Sequence, residues 1–266
     1  MRGNPVKARL RDGGATVGTW LSLDSPTSAE VLARSGFDWL VIDAEHSPVN
    51  WETVATMVGL IAHRGGVPMV RVPWNTGENI KRALDLGAYG VVVPMVNSVA
   101  EAEAAVRAAK YPPEGARSVG GLLRAVRFDA DQETYLGRAN AEVLVVIQAE
   151  HRLHLERARA IAAVPGVDAV FIGPNDLAAS LDISPADPAI EAAYAQVLAA
   201  CREMGVAAGI HAPDGAAARR RVLQGFRFVA AGSDAAILEH HARIDAAVAS
   251  GATPPAAGTG PAAPVD

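Results

Sequence analysis

The stretch Gly166–Leu181, GVDAVFIGPNDLAASL, decides the fold. A glycine opens it, a short Val/Phe/Ile run follows, a Gly-Pro-Asn-Asp cluster interrupts, and an Ala/Leu segment closes it. Glycine suits the left-handed position that ends a helix, β-branched and aromatic residues suit a strand, and proline suits the first turn of the next helix. The same order recurs in Gly36–His46 (GFDWLVIDAEH), Gly87–Val96 (GAYGVVVPMV) and Gly225–Asp234 (GFRFVAAGSD).

Extending the pattern along the chain gives eight strands. They are Thr16–Leu21, Asp38–Asp43, Val67–Val72, Tyr89–Met95, Val143–Gln148, Asp168–Ile172, Val206–Ile210 and Arg227–Ala231. Apolar strands alternating with Ala/Leu/Glu/Arg-rich helical segments read as a parallel sheet covered on both faces. Eight such units predict an α/β fold, a (β/α)8 TIM barrel, over residues 15–250. A doubly wound open sheet usually carries a Gly-rich phosphate loop after its first strand, where TWLSLDSPTSAE stands here. Residues 1–14 are expected to be a polar leader without the apolar core of a secretory signal. Residues 251–266 (GATPPAAGTGPAAPVD) are expected to be a disordered tail, having almost no bulky apolar side chain to bury. The long connection from about Pro112 to Asn140 is expected to be a lid or an inter-subunit arm.

Composition narrows the function. Half of the 266 residues are apolar and a fifth are charged, ordinary globular usage that excludes wholesale disorder. A net charge of −5 argues against nucleic acid or an anionic membrane as the main partner. No apolar run approaches the ~20 residues of a membrane span. The single cysteine, Cys201, excludes an intrachain disulfide framework and fits a cytoplasmic setting; its Ala-rich helical context reads as burial.

In this barrel the chemistry comes from residues just past the C-terminal strand ends. Those ends carry Asp43-Ala44-Glu45-His46, Arg71, Gln148-Ala149-Glu150, Gly173-Pro174-Asn175-Asp176, His211 and Gly232-Ser233-Asp234. Glu150 and Asp176, on adjacent strands, suit a hard divalent cation completed by water and substrate oxygens. The alternative is that Glu150 pairs with an arginine and Asp176 caps the next helix. His46 is a candidate general base, since imidazole titrates near working pH. Arg71 needs an anionic partner, either a structural carboxylate or the substrate. His211 is placed to contact a substrate. His151 and His154 follow Glu150 and could touch the mouth, but read as helix surface, as do His63, His240 and His241. Lysine occurs only at Lys7, Lys81 and Lys110, none ending a strand, which argues against a Schiff-base aldolase. Neither a nucleophile elbow nor a P-loop is present.

Taken together, GTWLSLDSP, WLVIDAEHSP, VPMVRVP, VVVPMV, YPPEGARSVGG, IQAE and VFIGPNDLAASL resemble the class II pyruvate aldolases of the HpcH/HpaI family, over roughly Gly18 to Ala247. The resemblance implies a metal-dependent lyase that cleaves 4-hydroxy-2-oxo acids to pyruvate or hydroxypyruvate and an aldehyde, and that catalyses the reverse addition. It implies Glu150 and Asp176 as ligands of Mg²⁺, Mn²⁺ or Co²⁺. It also implies His46 as the base, Asp85 in RALDLGA as the partner of His46, and Arg71 as stabiliser of the enolate charge. Gln148, Asn175 and Asp176 become the seat of the 2-oxo acid. A homohexamer built from dimers that exchange the last helix is implied as well. Asn175 and the IHAPDG end of strand seven depart from the pattern of some members and bear on the acceptor aldehyde. Two other readings compete. One is a CoA-thioester lyase of the citrate lyase β-like type, with Arg219-Arg220-Arg221 as the one basic candidate for the CoA phosphates. The other is a catalytically inactive barrel serving as a binding module.

Overall fold

The computed structural model describes residues 1–254. Eight parallel strands pair in sequence order and close on themselves, β8 beside β1. They are β1 (Thr16–Leu21), β2 (Trp39–Asp43), β3 (Pro68–Arg71), β4 (Gly90–Val93), β5 (Leu144–Ala149), β6 (Ala169–Ile172), β7 (Ala207–Ala212) and β8 (Phe228–Ser233). The expected TIM barrel is thus observed, with strand ends within two residues of the sequence reading. Twelve helices are described: α1 (Pro5–Arg11), α2 (Pro26–Leu32), α3 (Trp51–His63), α4 (Gly77–Asp85), α5 (Val99–Ala109), α6 (Leu123–Arg127), α7 (Gln132–Glu142), α8 (Arg152–Ala162), α9 (Pro174–Ser180), α10 (Ile190–Met204), α11 (Gly215–Gln224) and α12 (Asp234–Ser250). No described helix is long and apolar enough to cross a membrane.

Side chains alternate across each strand, and this sorts them into two apolar sets. Leu40, Ile42, Val70, Val91, Val93, Val145, Ile147, Val170, Ile172 and Val229 face outward onto the helices. Trp39, Val41, Met69, Val92, Leu144, Val146, Ala169, Phe171, Phe228 and Ala230 fill the barrel. Trp39 lies across its lower interior, stacked on Phe228 with centroids 4.0 Å apart. This is possible because residue 18 is glycine: a Cβ there would fall 2.1 Å from the Trp39 ring.

Three expectations are corrected by the way these segments pack. The leader contains α1, which buries Val6 and Leu10 against the barrel. Its cap, Asn4, accepts from the Val6 and Lys7 amides and donates to the carbonyls of Tyr89 and Glu142 at 3.0 Å. The 112–140 connection is not a lid over the mouth. It joins a helix to a strand, so topology places it at the floor, where α6 and α7 pack and Phe128 stacks on Tyr89 at 3.8 Å. His154 is not helix surface: with Ala158, Ile161 and Ala162 it forms the buried stripe of α8 and is fully enclosed. Cys201 is buried as expected, and burial pushes its thiol up to about 12. The helix α12 buries only Asp234, leaving Leu238 and Val248 each about three-fifths exposed. Most of the expected C-terminal tail, residues 255–266, lies outside the described residues.

Candidate active site

The alternation that fills the barrel with apolar side chains continues one step past them. At the mouth the inward positions become Trp20 on β1, Asp43 on β2, Arg71 on β3, Gln148 and Glu150 at the end of β5, Gly173 after β6 and His211 on β7. Strand geometry alone converges these polar groups on one layer.

Asp43 organises one half of it. The Arg71 guanidinium grips it with two bonds, Nε to Oδ1 at 2.9 Å and Nη2 to Oδ2 at 2.6 Å. The amides of Glu45 and His46 donate to Oδ1 as well, which turns the chain at the end of β2. Burial opposes the charge on Asp43, yet the bonds from Arg71 hold its carboxyl below the usual range. Arg71 also lies 3.0 Å from Glu45 Oε2 and 4.7 Å from the Trp20 ring centroid. A structural carboxylate is therefore one partner of Arg71. His46 stands at the rim, its side chain 64% exposed, with Nε2 3.8 Å from Glu45 Oε1.

Glu150 organises the other half. It is 2% exposed. Its Oε1 accepts from the Met95 amide at 2.7 Å and its Oε2 from Gln148 Nε2 at 2.9 Å. Among the described residues it makes no ion pair with an arginine, the alternative that the sequence left open. Met95 has φ +53, a strained conformation for a residue with a side chain, and the turn it makes is held from two sides. Glu150 takes the Met95 amide, and His154 Nδ1 lies 2.7 Å from the Val96 carbonyl. A Cβ at Gly173 would sit 2.6 Å from Glu150 Oε2, so the glycine leaves room for the carboxylate. Burial first, and then the charges of Asp176 and Glu45, raise Glu150 to about 7. Burial likewise raises Glu45 to about 7, with Asp43 and Asp176 adding repulsion against the pull of Arg71.

These acids repel one another across a mouth whose one inward-facing cation is already bound to Asp43. Hard oxygen donors with unbalanced negative charge fit a divalent cation. Among the described residues no group of three or more His, Cys, Asp or Glu side chains is arranged to hold an ion. Glu150 and Asp176 could supply two ligands, with substrate and water as the others.

Asp85 is not brought to His46 within the chain. Because α4 runs against the strands, its last residue lies at the floor, where Asp85 Oδ1 is 2.7 Å from Arg117 Nη2. Gln148 spends its donor on Glu150, while its buried Oε1 has no partner among the described residues. Asn175 and Asp176 lie exposed in the first turn of α9. Trp20 is a mouth residue that the sequence reading did not single out, although its alternation with Gly18 in TVGTWL carried the signal. Of the three arginines on α11, Arg221 is bound by Glu191 through both nitrogens at 2.7 Å, and Arg219 and Arg220 point outward.

Residues 16–241 match the family model described as HpcH/HpaI aldolase/citrate lyase. The chain is 43% identical over 247 residues to a 4-hydroxy-2-oxo-heptane-1,7-dioate aldolase of Escherichia coli, covering 92% of this chain and 94% of that protein. It is 42% identical over 241 residues to a hydroxypyruvate/pyruvate aldolase of Paraburkholderia phytofirmans, covering 87% and 92%. A crystal structure of an HpcH/HpaI aldolase/citrate lyase family protein from Burkholderia cenocepacia superimposes with a TM-score of 0.87 at 41% identity, covering 93% and 99%. With the barrel and its acidic mouth in place, these likenesses are decisive: the chain belongs to the HpcH/HpaI aldolase/citrate lyase family.

Proposed function

We propose that the protein is a divalent-metal-dependent aldolase. It cleaves 4-hydroxy-2-oxo acids to pyruvate or hydroxypyruvate and an aldehyde, and adds the same pieces in reverse. The observation that carries this reading is the acidic mouth itself, where Asp43, Glu45, Asp176 and the buried Glu150 gather about a single arginine that is already bound to Asp43. A Mg²⁺, Mn²⁺ or Co²⁺ ion held by Glu150 and Asp176 would supply Lewis-acid charge to the 2-oxo group and carboxylate of the substrate.

The chain's own groups do the rest. Arg71 spreads the negative charge that develops on the 2-oxo oxygen as the carbon–carbon bond breaks, and its two hydrogen bonds to Asp43 keep the guanidinium plane preorganised. Trp20 covers one side of Arg71 and keeps water from it. His46, at the open rim, removes the proton from the 4-hydroxyl, directly or through a water. Gln148 fixes the orientation of Glu150, and the first turn of α9 with Asn175 seats the 2-oxo acid. If Asp85 orients His46, as the family resemblance implies, the carboxylate is contributed by a second copy of the chain. The nearly unburied α12, with Leu238 and Val248 in water, supports exchange of that helix within a homo-oligomer, a hexamer of three dimers. A cytoplasmic setting, with small-molecule substrates and neither nucleic acid nor membrane as partner, completes the proposal.

The test is pyruvate release from a 4-hydroxy-2-oxo acid before and after exhaustive chelation. Cleavage is expected to vanish with the metal and to return with Mn²⁺, Mg²⁺ or Co²⁺. Full activity in metal-free protein overturns the mechanism.

A further inference from the structure

His211 is a group at the mouth that the mechanism above does not use. It ends the inward row of β7, with its ring edge-on to Trp20 at a centroid distance of 6.5 Å. Glu150 and Asp176 come from the ends of β5 and β6, so β7 places His211 beside the reacting centre and not within it. Among the described residues no group hydrogen-bonds to either nitrogen of its ring. The neighbouring Trp20 Nε1 is buried and likewise without a partner. Two adjacent polar groups at the mouth thus have hydrogen-bonding capacity that no described protein group takes up, and for the buried indole N–H this costs free energy unless a ligand takes it up.

The ligand's chemistry follows from the state of the ring. Burial, and then the positive charge of Arg71, lower the imidazole to about 4, so it is neutral at working pH. A neutral imidazole offers one donor and one acceptor. A carboxylate would use the donor and be repelled at the acceptor, and a methyl group would use neither. A hydroxyl, which both donates and accepts, can bond at either nitrogen.

We infer that His211 is a specificity-determining residue that recognises a hydroxyl on the carbon next to a substrate carbonyl. Two substrate pieces carry that group: a hydroxypyruvate-type donor and a glycolaldehyde-type acceptor. The inference rests on the aldolase reading and adds to it the class of substrate that the mouth selects.

Pairs of equal shape test it. With one acceptor held fixed, kcat/KM for addition is compared between hydroxypyruvate and 2-oxobutanoate. With pyruvate held fixed, it is compared between glycolaldehyde and propanal. His211→Leu is expected to lower the hydroxyl preference about tenfold in at least one pair, the loss of one buried hydrogen bond to substrate. His211→Asn, which keeps a donor and an acceptor, should retain most of that preference. Loss in the donor pair assigns the hydroxyl to the 2-oxo acid, and loss in the acceptor pair assigns it to the aldehyde. Because each result is a ratio within one protein, weaker folding or metal binding cancels. Preferences unchanged in His211→Leu overturn the inference, as does His211→Asn losing as much as His211→Leu. If the metal-loaded wild-type protein adds no donor to any aldehyde, the aldolase reading fails and the inference falls with it.

Discussion

The two ends of the barrel use charge in opposite ways. At the floor, cations predominate and are enclosed: Lys7 and Lys110 both donate to the Val143 carbonyl, and Arg117 and Arg124 lie against Tyr111 and Tyr135 with Asp85 between them. At the mouth, acids predominate, with Asp43, Glu45, Glu150 and Asp176 around Arg71. The floor spends its charges on carbonyls, aromatic faces and the carboxylates of Asp85 and Asp168, whereas the mouth sets one arginine among four acids. An excess of charge with structural partners holds a fold together, and an excess without them calls for a ligand.

Substitutions at the two ends should therefore fail differently. The largest effect is expected from Glu150→Gln. The fold should survive, because Gln148 can turn its amide and present the now unpartnered Oε1 to the new donor. Metal binding should be lost and cleavage should fall by about 10³-fold or more, as when a principal source of transition-state charge stabilisation is removed. Calorimetric Mn²⁺ titration beside a pyruvate-release assay checks this, and wild-type Mn²⁺ affinity in the variant would erase the contrast from the mouth side. Next comes Phe128→Ala at the floor. It removes the ring stacked on Tyr89 and should cost about 3–5 kcal/mol of stability while leaving kcat unchanged below the melting transition. An unchanged melting temperature would break the contrast from the other side.

The smallest effect sharpens it. Lys110 is buried, and its amine is lowered to about 7 by burial first and then by Lys7. Between pH 7 and its ordinary value near 10.5 the unfolded chain holds a proton that the folded chain has released. Stability should therefore rise with pH across that window, by up to about 1.4 kcal/mol per pH unit, and level off below pH 7. In Lys110→Met this slope should disappear from melting curves recorded between pH 7.5 and 9.5. A slope that persists would show that the floor lysine is not its source.

The floor and the mouth were unequally legible in the sequence. Strand parity and Gly–strand–Gly/Pro order revealed the barrel, and the strand ends named Asp43, Arg71, Gln148, Glu150 and His211. Helix direction was equally readable but harder to use. A helix that follows a strand descends, so Asp85 at the end of α4 belongs at the floor, as does any insertion before β5. His154 was hidden because a polar residue type masks an apolar stripe, though its spacing to Ala158, Ile161 and Ala162 matches one. The grip of Glu150 on the Met95 amide had no local signal, since it joins backbone and side chain 55 residues apart.

Trp39, laid over Gly18 against Phe228, has a further consequence. It makes the barrel a vessel with one opening. Whatever reacts there enters and leaves by the same route, so the piece seated deepest is trapped until the other has gone. For the proposed cleavage this sets a sequence of events: aldehyde out first, the 2-oxo acid after it. Product-inhibition patterns would display that order without any structure of a complex.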